Sequence, residues 1–272
     1  MDNHNLKIGF IGGGNMAQAI ISGLVLANHP PQCLAVSDPD QAQLECIHAI
    51  NGDINVLTEN NTLADEADIV VLAVKPQIIG DIIQEISGRA SCLYLSIAAG
   101  ITLDTLQKQL TPARAIVRIM PNQPALVGAG MSVLTATAAT SSEQKATAQY
   151  IAEAMGNTAW VDDEPLMDAV TAVSGSGPAY FYLFMEIIEA CARDMGLPAE
   201  LAGRLARQTC LGAGIVAAES DLELEVLRAS VTSKGGTTAA AIEVLEQSDF
   251  RAIVARALLA ARDRSVELGT AD

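Results

Sequence analysis

Short apolar runs alternate with helical stretches along the chain up to Val161. The runs are rich in valine, isoleucine and leucine, which is typical of strands buried in a parallel sheet. Between them, apolar residues recur at the spacing of an amphipathic helix. This alternation predicts βαβ units and therefore a doubly wound α/β sheet. The predicted strands are Lys7–Ile11, Leu34–Ser37, Ile69–Val74, Cys92–Ser96, Ala115–Met120, Met131–Thr135 and Thr158–Val161, and the predicted helices are Met16–Leu26, Gln41–Ile50, Ile78–Ile86, Leu103–Gln109 and Glu143–Ala154.

The pattern changes after the acidic segment Asp162–Pro165, and we predict no strand beyond it. Pro178 suits the first turn of a long helix, and Gly196 suits its end. A second long helix is predicted from Ala199 to Ala218. The remainder of the chain is therefore predicted to be all-helical.

The predicted helical part is apolar enough to need a partner. Its second helix contains Gly203, Gly212 and Gly214, although each glycine costs a helix about 1 kcal/mol relative to alanine. Tolerance of these glycines indicates close packing between helices. We expect one helix face to be buried against another subunit; a self-contained bundle is the alternative. The chain is thus predicted to divide into residues 1–163, with the sheet, and residues 164–272, with helices that dimerise.

A glycine turn joins the first predicted strand to the first predicted helix. The sequence Gly12-Gly13-Gly14-Asn15-Met16-Ala17 fits the pattern Gly-x-Gly-x-x-Ala. Gly12 allows a tight turn, Gly14 lets a pyrophosphate approach the backbone, and Ala17 lets the helix pack on the strand. With βαβ units around it, the motif predicts a dinucleotide-binding domain of the Rossmann type; a glycine turn without a ligand is the alternative.

Asp38 follows the second predicted strand, where a residue contacts the adenosine ribose of a bound dinucleotide. Its carboxylate suits the 2′-hydroxyl of NADH and would repel the 2′-phosphate of NADPH. Ser37 and the polar residues beside it would receive that phosphate if Asp38 turned away. The sequence therefore leaves the choice between NADPH and NADH open.

Two more predicted strands end in small residues, at Ala73-Val74-Lys75-Pro76 and at Ala98-Ala99. Ligands of open α/β sheets lie outside such strand ends, so small side chains here would let a nicotinamide ring lie close to the backbone. Lys75 would contact a ribose or a phosphate, or is a solvated lysine; the sequence favours neither interpretation.

A second glycine-rich helix start lies near the end of the chain, at Ser233–Thr238. The first amides of a helix are unpaired, and the helix dipole favours an anion beside them. Gly235, Gly236 and Thr237 are expected to donate their amides to a group the size of a carboxylate. Ordinary helix capping by Thr237 and Thr238 is compatible with ligand binding, and we expect both.

The composition excludes several functions. A formal net charge of −16 argues against partners such as nucleic acid or an anionic membrane surface. Five cysteines and three histidines are dispersed without metal-ligand spacing, so we expect reduced thiols, no metal site and a cytoplasmic protein. The apolar runs are too short to span a bilayer, and the strand that begins at Lys7 leaves no signal peptide to be predicted.

Five segments, in order along nearly the whole chain, resemble pyrroline-5-carboxylate reductases: Phe10–Met16, Ala73–Gln77, Arg118–Pro124, Asp168–Tyr180 and Val231–Thr238. The first is shared by many dehydrogenases, whereas the last two are specific. The resemblance implies a Rossmann domain and a helical domain that interlocks with a partner into homodimers, often assembled into decamers. It also implies reduction of 1-pyrroline-5-carboxylate to L-proline with NADPH or NADH.

The resemblance further implies a site for each ligand. Thr238 is the candidate catalytic contact to the imine nitrogen, and the proton arrives on the substrate, through water or from Glu164. The implied cofactor residues are Gly12, Gly14, Asn15, Met16, Ser37, Asn60, Ala73, Val74, Lys75, Pro76 and Ala99, to which the ribose argument adds Asp38; the implied substrate residues are Glu164, Ser233, Gly235, Gly236, Thr237 and Thr238.

Three positions depart from the family pattern. Lys234 stands where the family usually has proline, Gln123 where it has threonine, and Ala229 where it has aspartate. Lys234 would add positive charge beside a carboxylate or point to solvent, and the sequence does not decide between the two.

Two other functions fit parts of the sequence. A β-hydroxyacid dehydrogenase also joins a glycine motif to a helical domain, but it would use a helical lysine as acid and base. Lys234 is the only lysine after Glu164, and it lies in the glycine loop. A non-catalytic dinucleotide sensor would bind a protein with its second domain; the carboxylate-sized loop argues against that function.

Overall fold

A single eight-stranded sheet organises the first part of the chain. The structure is a computed structural model, and it describes residues 5–86, 91–113 and 115–270. The strands are β1 (Ile8–Ile11), β2 (Leu34–Ser37), β3 (Asn55–Leu57), β4 (Ile69–Leu72), β5 (Leu93–Ser96), β6 (Ile116–Met120), β7 (Gly130–Ala136) and β8 (Gly156–Trp160).

The strand order is β3-β2-β1-β4-β5-β6-β7-β8. Strands β1 to β6 pair in parallel, as predicted from the strand–helix alternation. The expectation of a parallel sheet is wrong at one edge, because β7 pairs with β6 antiparallel and carries β8 with it. The order reverses between β1 and β4, and this is the crevice where doubly wound sheets bind ligands.

Helices cover both faces of the sheet, as the prediction of a doubly wound fold requires. They are α1 (Asn15–Leu26), α2 (Gln41–Ile50), α3 (Asn60–Glu66), α4 (Ile79–Glu85), α5 (Leu103–Gln109) and α6 (Ser142–Glu153). One apolar cluster packs α1, α2 and α6 on one face, and a second packs α3, α4 and α5 on the other.

One strand and one helix in this part of the chain were not predicted. Strand β3 has only three residues and lies at the sheet edge with two of them exposed, so it lacks the apolar signal of a buried strand. Helix α3 has seven residues, and Leu63 and Ala64 are the ones it buries. Segments this short carry too little periodicity to be recognised from sequence.

The chain divides into two compact units. The first runs to Gly175 and also takes in the chain from Ala261, and the second is Ser176–Ala260. Helix α7 (Leu166–Val170) therefore belongs with the sheet. It does so because Met167 is fully buried and the Asp168 carboxylate accepts a hydrogen bond from the hydroxyl of Ser265, at 2.7 Å. The predicted division at residues 163 and 164 falls one helix earlier.

The second unit is helical, and the described residues contain no strand after Trp160. The helix that begins near Pro178 and the one that begins at Ala199 are confirmed, and Gly196 ends the first of them with a φ of +94°. The helices after α7 are α8 (Gly177–Asp194), α9 (Ala199–Glu219), α10 (Leu224–Ser230), α11 (Thr237–Gln247) and α12 (Phe250–Thr270), whose last residues belong to the first unit.

Large apolar side chains are exposed on the helices of the second unit. Phe181, Leu183 and Met195 are 62%, 57% and 77% exposed. A side chain built on Gly203 would approach Glu189 of α8, at 3.2 Å, whereas one on Gly212 would meet nothing within 4 Å. Close packing within the chain therefore accounts for the first glycine and not for the second.

No helix among the described residues is both long and apolar enough to cross a membrane. No group of three or more histidine, cysteine, aspartate or glutamate side chains among them is placed to hold a metal ion.

Candidate active site

The first glycine turn is packed against the ends of neighbouring strands. Gly12 has a φ of +100°, and a Cβ built on it would lie 2.7 Å from the carbonyl oxygen of Ala73. Its amide donates to the carbonyl of Ser37, at 2.8 Å. Glycine is therefore required at this position for both backbone conformation and space.

Gly14 leaves open the space that a phosphate would need. It is the N-cap of α1, and no side chain caps this helix. A Cβ built on Gly14 would meet nothing within 4 Å, and the neighbouring Asn15 is exposed. Uncapped amides at a helix start beside open space fit a pyrophosphate, as the motif predicts.

Asp38 lies against this turn at the end of β2. Its Oδ2 accepts a hydrogen bond from the Gly13 amide at 2.7 Å, and its Oδ1 accepts one from the Asp40 amide at 2.8 Å. Gln18 ties the turn to α2 as well, because its Nε2 donates to the carbonyl of Gly13 and to the side chain of Gln43. The Asp38 carboxylate is thus fixed by the backbone on both sides.

Ser37 is not free to receive a phosphate, contrary to one of the two interpretations of this strand end. Its side chain is buried, at 1% exposure. The hydroxyl donates to Oδ1 of Asn60 at 2.7 Å, and Nδ2 of Asn60 donates to Glu85 at 2.7 Å. The side chains of the predicted cofactor residues Ser37 and Asn60 are therefore hydrogen-bonded to each other at the carboxyl end of β2.

The other predicted cofactor residues lie at the same edge of the sheet. Ala73 follows β4, and its amide donates to the carbonyl of Ile11 at 2.8 Å. Lys75 is exposed and precedes a 3₁₀ turn that begins at Pro76. Ala99 follows β5 and is exposed. The exposure of Lys75 is compatible with both interpretations of this residue.

The second glycine-rich start forms a tight turn in the helical unit. Gly235 has a φ of +72°, and the Gly236 amide donates to the carbonyl of Ser233 at 3.0 Å. The expectation that Gly236 offers its amide to a ligand is therefore wrong, since the turn uses it. Within the described residues, the amides of Gly235, Thr237 and Thr238 have no such partner.

Helix capping by the two threonines is also not observed. The N-cap of α11 is Gly236, and it makes no side-chain capping bond. Neither threonine hydroxyl has a hydrogen-bond partner within the described part of the chain. Thr237 is exposed and Thr238 is half-buried. Both hydroxyls are thus available to a ligand.

The three departures from the family pattern lie in different surroundings. Lys234 is exposed within the turn, and Ala229 is exposed on α10. Gln123 begins a 3₁₀ turn after β6. Nothing in the structure explains why these three residues replace the usual ones.

Glu164 is held by an ion pair that the sequence did not predict. Its Oε1 accepts from Arg118 Nη1 at 3.0 Å and from the amide of Leu103 at 2.8 Å. Arg118 is 4% exposed, and its side chain, with Thr102 and Asp168, helps to line a cavity of about 410 Å³ in the first unit. The only sequence signal was the arginine inside an otherwise apolar strand.

The segment before α8 contains an irregular helical turn. A π-helix spans Thr171–Gly175, and such turns are frequent at functional sites. Asn122 holds it, because its Nδ2 donates to the carbonyl of Ser174 at 3.1 Å. A side chain on Gly175 would lie 2.5 Å from the end of Met120.

The structure therefore gathers the predicted residues into two groups. The predicted cofactor residues lie in the first unit after the carboxyl ends of β1 to β5, and Glu164 belongs to the same unit. The predicted substrate residues Ser233–Thr238 form a group of their own in the second unit.

Comparison with known proteins relates both units to one enzyme family. Residues 164–268 match the family model described as pyrroline-5-carboxylate reductase dimerisation. Residues 7–100 match the model described as NADP oxidoreductase, coenzyme F420-dependent. The dimerisation model covers the glycine turn at Ser233–Thr238. The NADP oxidoreductase model covers the glycine turn at Gly12–Gly14.

The similarity extends over the whole chain. It is 44% identical to the pyrroline-5-carboxylate reductase of Pseudomonas aeruginosa over 96% of each chain, and 42% identical to that of Pasteurella multocida over 96% of this chain and 97% of the relative. The solved structure of the Coxiella burnetii reductase has a TM-score of 0.92 and 39% identity, and the match covers 98% of this chain and 100% of that one. With its eight-stranded sheet, its helical unit and this full-length similarity, the chain belongs to the pyrroline-5-carboxylate reductase family.

Proposed function

We propose that this protein reduces 1-pyrroline-5-carboxylate to L-proline, the last step of proline biosynthesis, with NADPH or NADH as reductant. Family membership over the full length is the observation that carries the proposal, because it spans both units and not the dinucleotide motif alone. The two glycine-rich helix starts support it, since one suits a dinucleotide and the other a small carboxylate.

The first unit supplies the groups that would hold the cofactor. The uncapped first turn of α1 offers amides to the pyrophosphate, and Gly14 leaves room for it. Asp38, at the end of β2, would contact the adenosine ribose. The strand ends at Ala73–Pro76 and at Ala99 are the edge for the nicotinamide half. When bound, the nicotinamide supplies the hydride.

The turn before α11 would bind the substrate carboxylate. The amides of Gly235, Thr237 and Thr238 have no partner within the described residues, and Ser233 adds an exposed hydroxyl. A hydrogen bond to a charged group contributes about 1.5–3 kcal/mol. Two or three such bonds give a site for a small acid even in a chain of net charge −16.

Thr238 is the proposed catalytic contact to the imine nitrogen. Its half-buried hydroxyl has no partner within the described residues, so it is free to bond a ring held by the neighbouring amides. A threonine hydroxyl is a poor proton source. We propose that the proton arrives on the substrate or through water or Glu164, whose Oε2 makes no hydrogen bond within the described residues.

We also propose that the protein works as a homodimer. The exposed apolar side chains of α8 and α9, such as Phe181 and Leu211, form more apolar surface than a soluble monomer usually carries. Further assembly of dimers into decamers rests on the family resemblance alone.

The reaction is tested by following absorbance at 340 nm with NADH or NADPH and 1-pyrroline-5-carboxylate. We expect oxidation of the nucleotide that depends on the imine, and no oxidation with a panel of keto acids. Reversal of that pattern would favour a hydroxyacid dehydrogenase. Nucleotide binding without turnover of any substrate would favour a dinucleotide sensor.

Assembly is tested by sedimentation of the full chain at micromolar concentration. We expect a dimer or a larger species. A monomer at that concentration would contradict the proposed role of the exposed helices.

A further inference from the structure

We propose that this enzyme selects NADH over NADPH, and that Asp38 makes the selection. The inference rests on the proposed function, because it concerns the adenosine end of the same cofactor site. A solved relative from Plasmodium falciparum, 33% identical with a TM-score of 0.86, has NADP bound, so the preference is proposed for this chain and not for the family.

The Asp38 carboxylate cannot turn away from the ribose position without losing two hydrogen bonds. Its Oδ2 accepts from the Gly13 amide at 2.7 Å, and its Oδ1 accepts from the Asp40 amide at 2.8 Å. Gly13 belongs to the turn that would carry the pyrophosphate, so the same contact ties the charge of Asp38 to the cofactor site. A carboxylate has about four acceptor positions, and it can still accept from ribose hydroxyls.

The donors that a 2′-phosphate would need are already taken. The start of α2 would be an anion site, but Asp40 caps it by accepting from the Ala42 amide at 2.9 Å. The amide of Asp40 is used by Asp38. The hydroxyl of Ser37 donates to Asn60 at 2.7 Å. Each of these three donors therefore serves a protein acceptor, and two of those acceptors are carboxylates.

No cation from this half of the sheet can compensate. Residues 8–74 contain neither lysine nor arginine. Lys7 precedes β1 and lies at the opposite, amino edge of the sheet, while Lys75 follows β4, which β1 separates from β2. A 2′-phosphate at the end of β2 would thus face Asp38 and Asp40 without a basic partner from residues 8–74, and like charges at such range repel.

The 2′-hydroxyl of NADH has the opposite relation to the same groups. It is a neutral donor, and Asp38 is an acceptor with free capacity. A hydrogen bond to a charged acceptor is stronger than one between neutral groups. The arrangement therefore strengthens the binding of NADH and weakens the binding of NADPH.

The test is a titration calorimetry measurement of NADH and NADPH binding to the full-length protein, without substrate. We expect NADH to bind at least about tenfold tighter; tenfold corresponds to about 1.4 kcal/mol, which is less than the repulsion of one close charge pair near a protein surface. Asp38→Asn removes the charge and keeps a side-chain acceptor for the turn, so we expect it to lower the NADH/NADPH affinity ratio by about the same factor.

A matched control separates the local charge from the overall field. Asp53 is exposed and precedes β3. Asp53→Asn therefore removes one charge at the amino ends of the strands, whereas Asp38 lies at the carboxyl end of β2. We expect that variant to keep the parental ratio. Raising the salt concentration should also reduce the preference of the parent, since exposed charges are screened.

Each outcome distinguishes this inference from the proposed reaction. Equal or tighter binding of NADPH by the parent, or an Asp38→Asn ratio equal to the parental one, would overturn the selection by Asp38 and leave the reaction standing. Failure of both nucleotides to bind would overturn the cofactor site itself. Thermal melting of Asp38→Asn near the parental temperature ensures that the measured ratio belongs to a folded protein.

Discussion

The two glycine-rich helix starts share a local arrangement and differ in what surrounds them. Both α1 and α11 begin after a glycine N-cap that makes no side-chain capping bond. Each turn also contains a glycine at positive φ, Gly12 at +100° and Gly235 at +72°. A Cβ on Gly12 would press on backbone atoms of Ala73, directly after β4, whereas one on Gly235 would meet nothing within 4 Å.

This difference separates two reasons for using glycine. At the first start, the neighbouring strands enforce the turn, so its shape is part of the fold. At the second, only the backbone conformation calls for glycine, and the free threonine hydroxyls and amides remain without partners in the described residues. Substitution of Gly12 should thus act on folding, and substitution of the threonine hydroxyls of the second start should act on substrate.

The largest effect is expected for Gly12→Ala. The new methyl would lie 2.7 Å from the Ala73 carbonyl oxygen and would hold an unfavourable φ of +100°. We expect the free energy of unfolding to fall by at least about 2 kcal/mol, with loss of nucleotide binding. Urea unfolding and calorimetry measure both.

Gly14→Ala is the matched variant for that prediction. Its Cβ meets nothing in the protein, and its φ of −68° is open to alanine. We expect unfolding within about 0.5 kcal/mol of the parent together with weaker nucleotide binding, because the methyl would stand where the pyrophosphate approaches. If Gly12→Ala and Gly14→Ala lowered the free energy of unfolding by the same amount, contact with Ala73 would not be the reason that Gly12 requires glycine.

The next effect concerns Thr238→Ala in the second start. We expect kcat/KM for 1-pyrroline-5-carboxylate to fall about ten- to a hundredfold, which corresponds to one lost hydrogen bond of roughly 1.4–2.8 kcal/mol. Nucleotide affinity should hardly change, since the pyrophosphate is proposed to bind the other glycine turn. Steady-state kinetics and calorimetry test the two parts.

Thr238→Ser and thermal melting complete that prediction. Serine keeps the hydroxyl, so this variant should retain most of the activity. Because Gly236 is the N-cap and Thr238 makes no capping bond, the alanine variant should melt near the parental temperature. An alanine variant that is folded and fully active would remove Thr238 from the catalytic site.

The sequence was sufficient for the first glycine start because local chemistry determines it. A buried strand, Gly12 and Gly14 at their spacing and an amphipathic helix each have one simple physical meaning. The same holds for Pro178 and Gly196, which delimit the long helix α8 correctly to within two residues.

The parts that sequence could not supply are contacts between distant segments. Glu164 and Arg118 are 46 residues apart, and no local pattern pairs them. The Gly236 amide was expected to be free, yet it donates to the carbonyl of Ser233 within the turn. Residue types alone do not show which backbone amides of a turn are paired, because that depends on the path of the folded backbone. The antiparallel direction of β7 was missed for a similar reason, since it is set by pairing with β6 and not by the local sequence of β7.

A smaller effect is expected for Gly235→Ala, which sharpens the comparison with Gly12. The φ of +72° disfavours alanine, but the Cβ has open space. We therefore expect a loss of only about 1 kcal/mol in unfolding free energy, roughly half that of Gly12→Ala. A loss equal to that of Gly12→Ala in urea unfolding would show that the second turn is as tightly enclosed as the first.

The smallest effect is expected at the far end of the helix that the second start opens. Glu246 lies in the last turn of α11, where the helix dipole disfavours a carboxylate. Arg251 compensates, with its Nε 2.8 Å from Oε2 of Glu246, and this hydrogen bond lowers the pKa of Glu246 below its ordinary value of 4.5. Both side chains are largely exposed, so the pair contributes little.

The sign of its pH dependence follows from that shift. Because the pKa is lower in the folded state than in the unfolded one, the stabilisation is complete above the ordinary value and is lost as the pH falls through the folded pKa. We expect Glu246→Gln to lower Tm by less than about 2 °C at neutral pH, and the difference from the parent to vanish in acid or in high salt. Glu243→Gln on the same helix is the control, since its carboxylate accepts from the neutral Gln247 and not from a cation. A difference for Glu246→Gln that persisted in acid would mean that packing, and not the charge pair, holds this end of α11 in place.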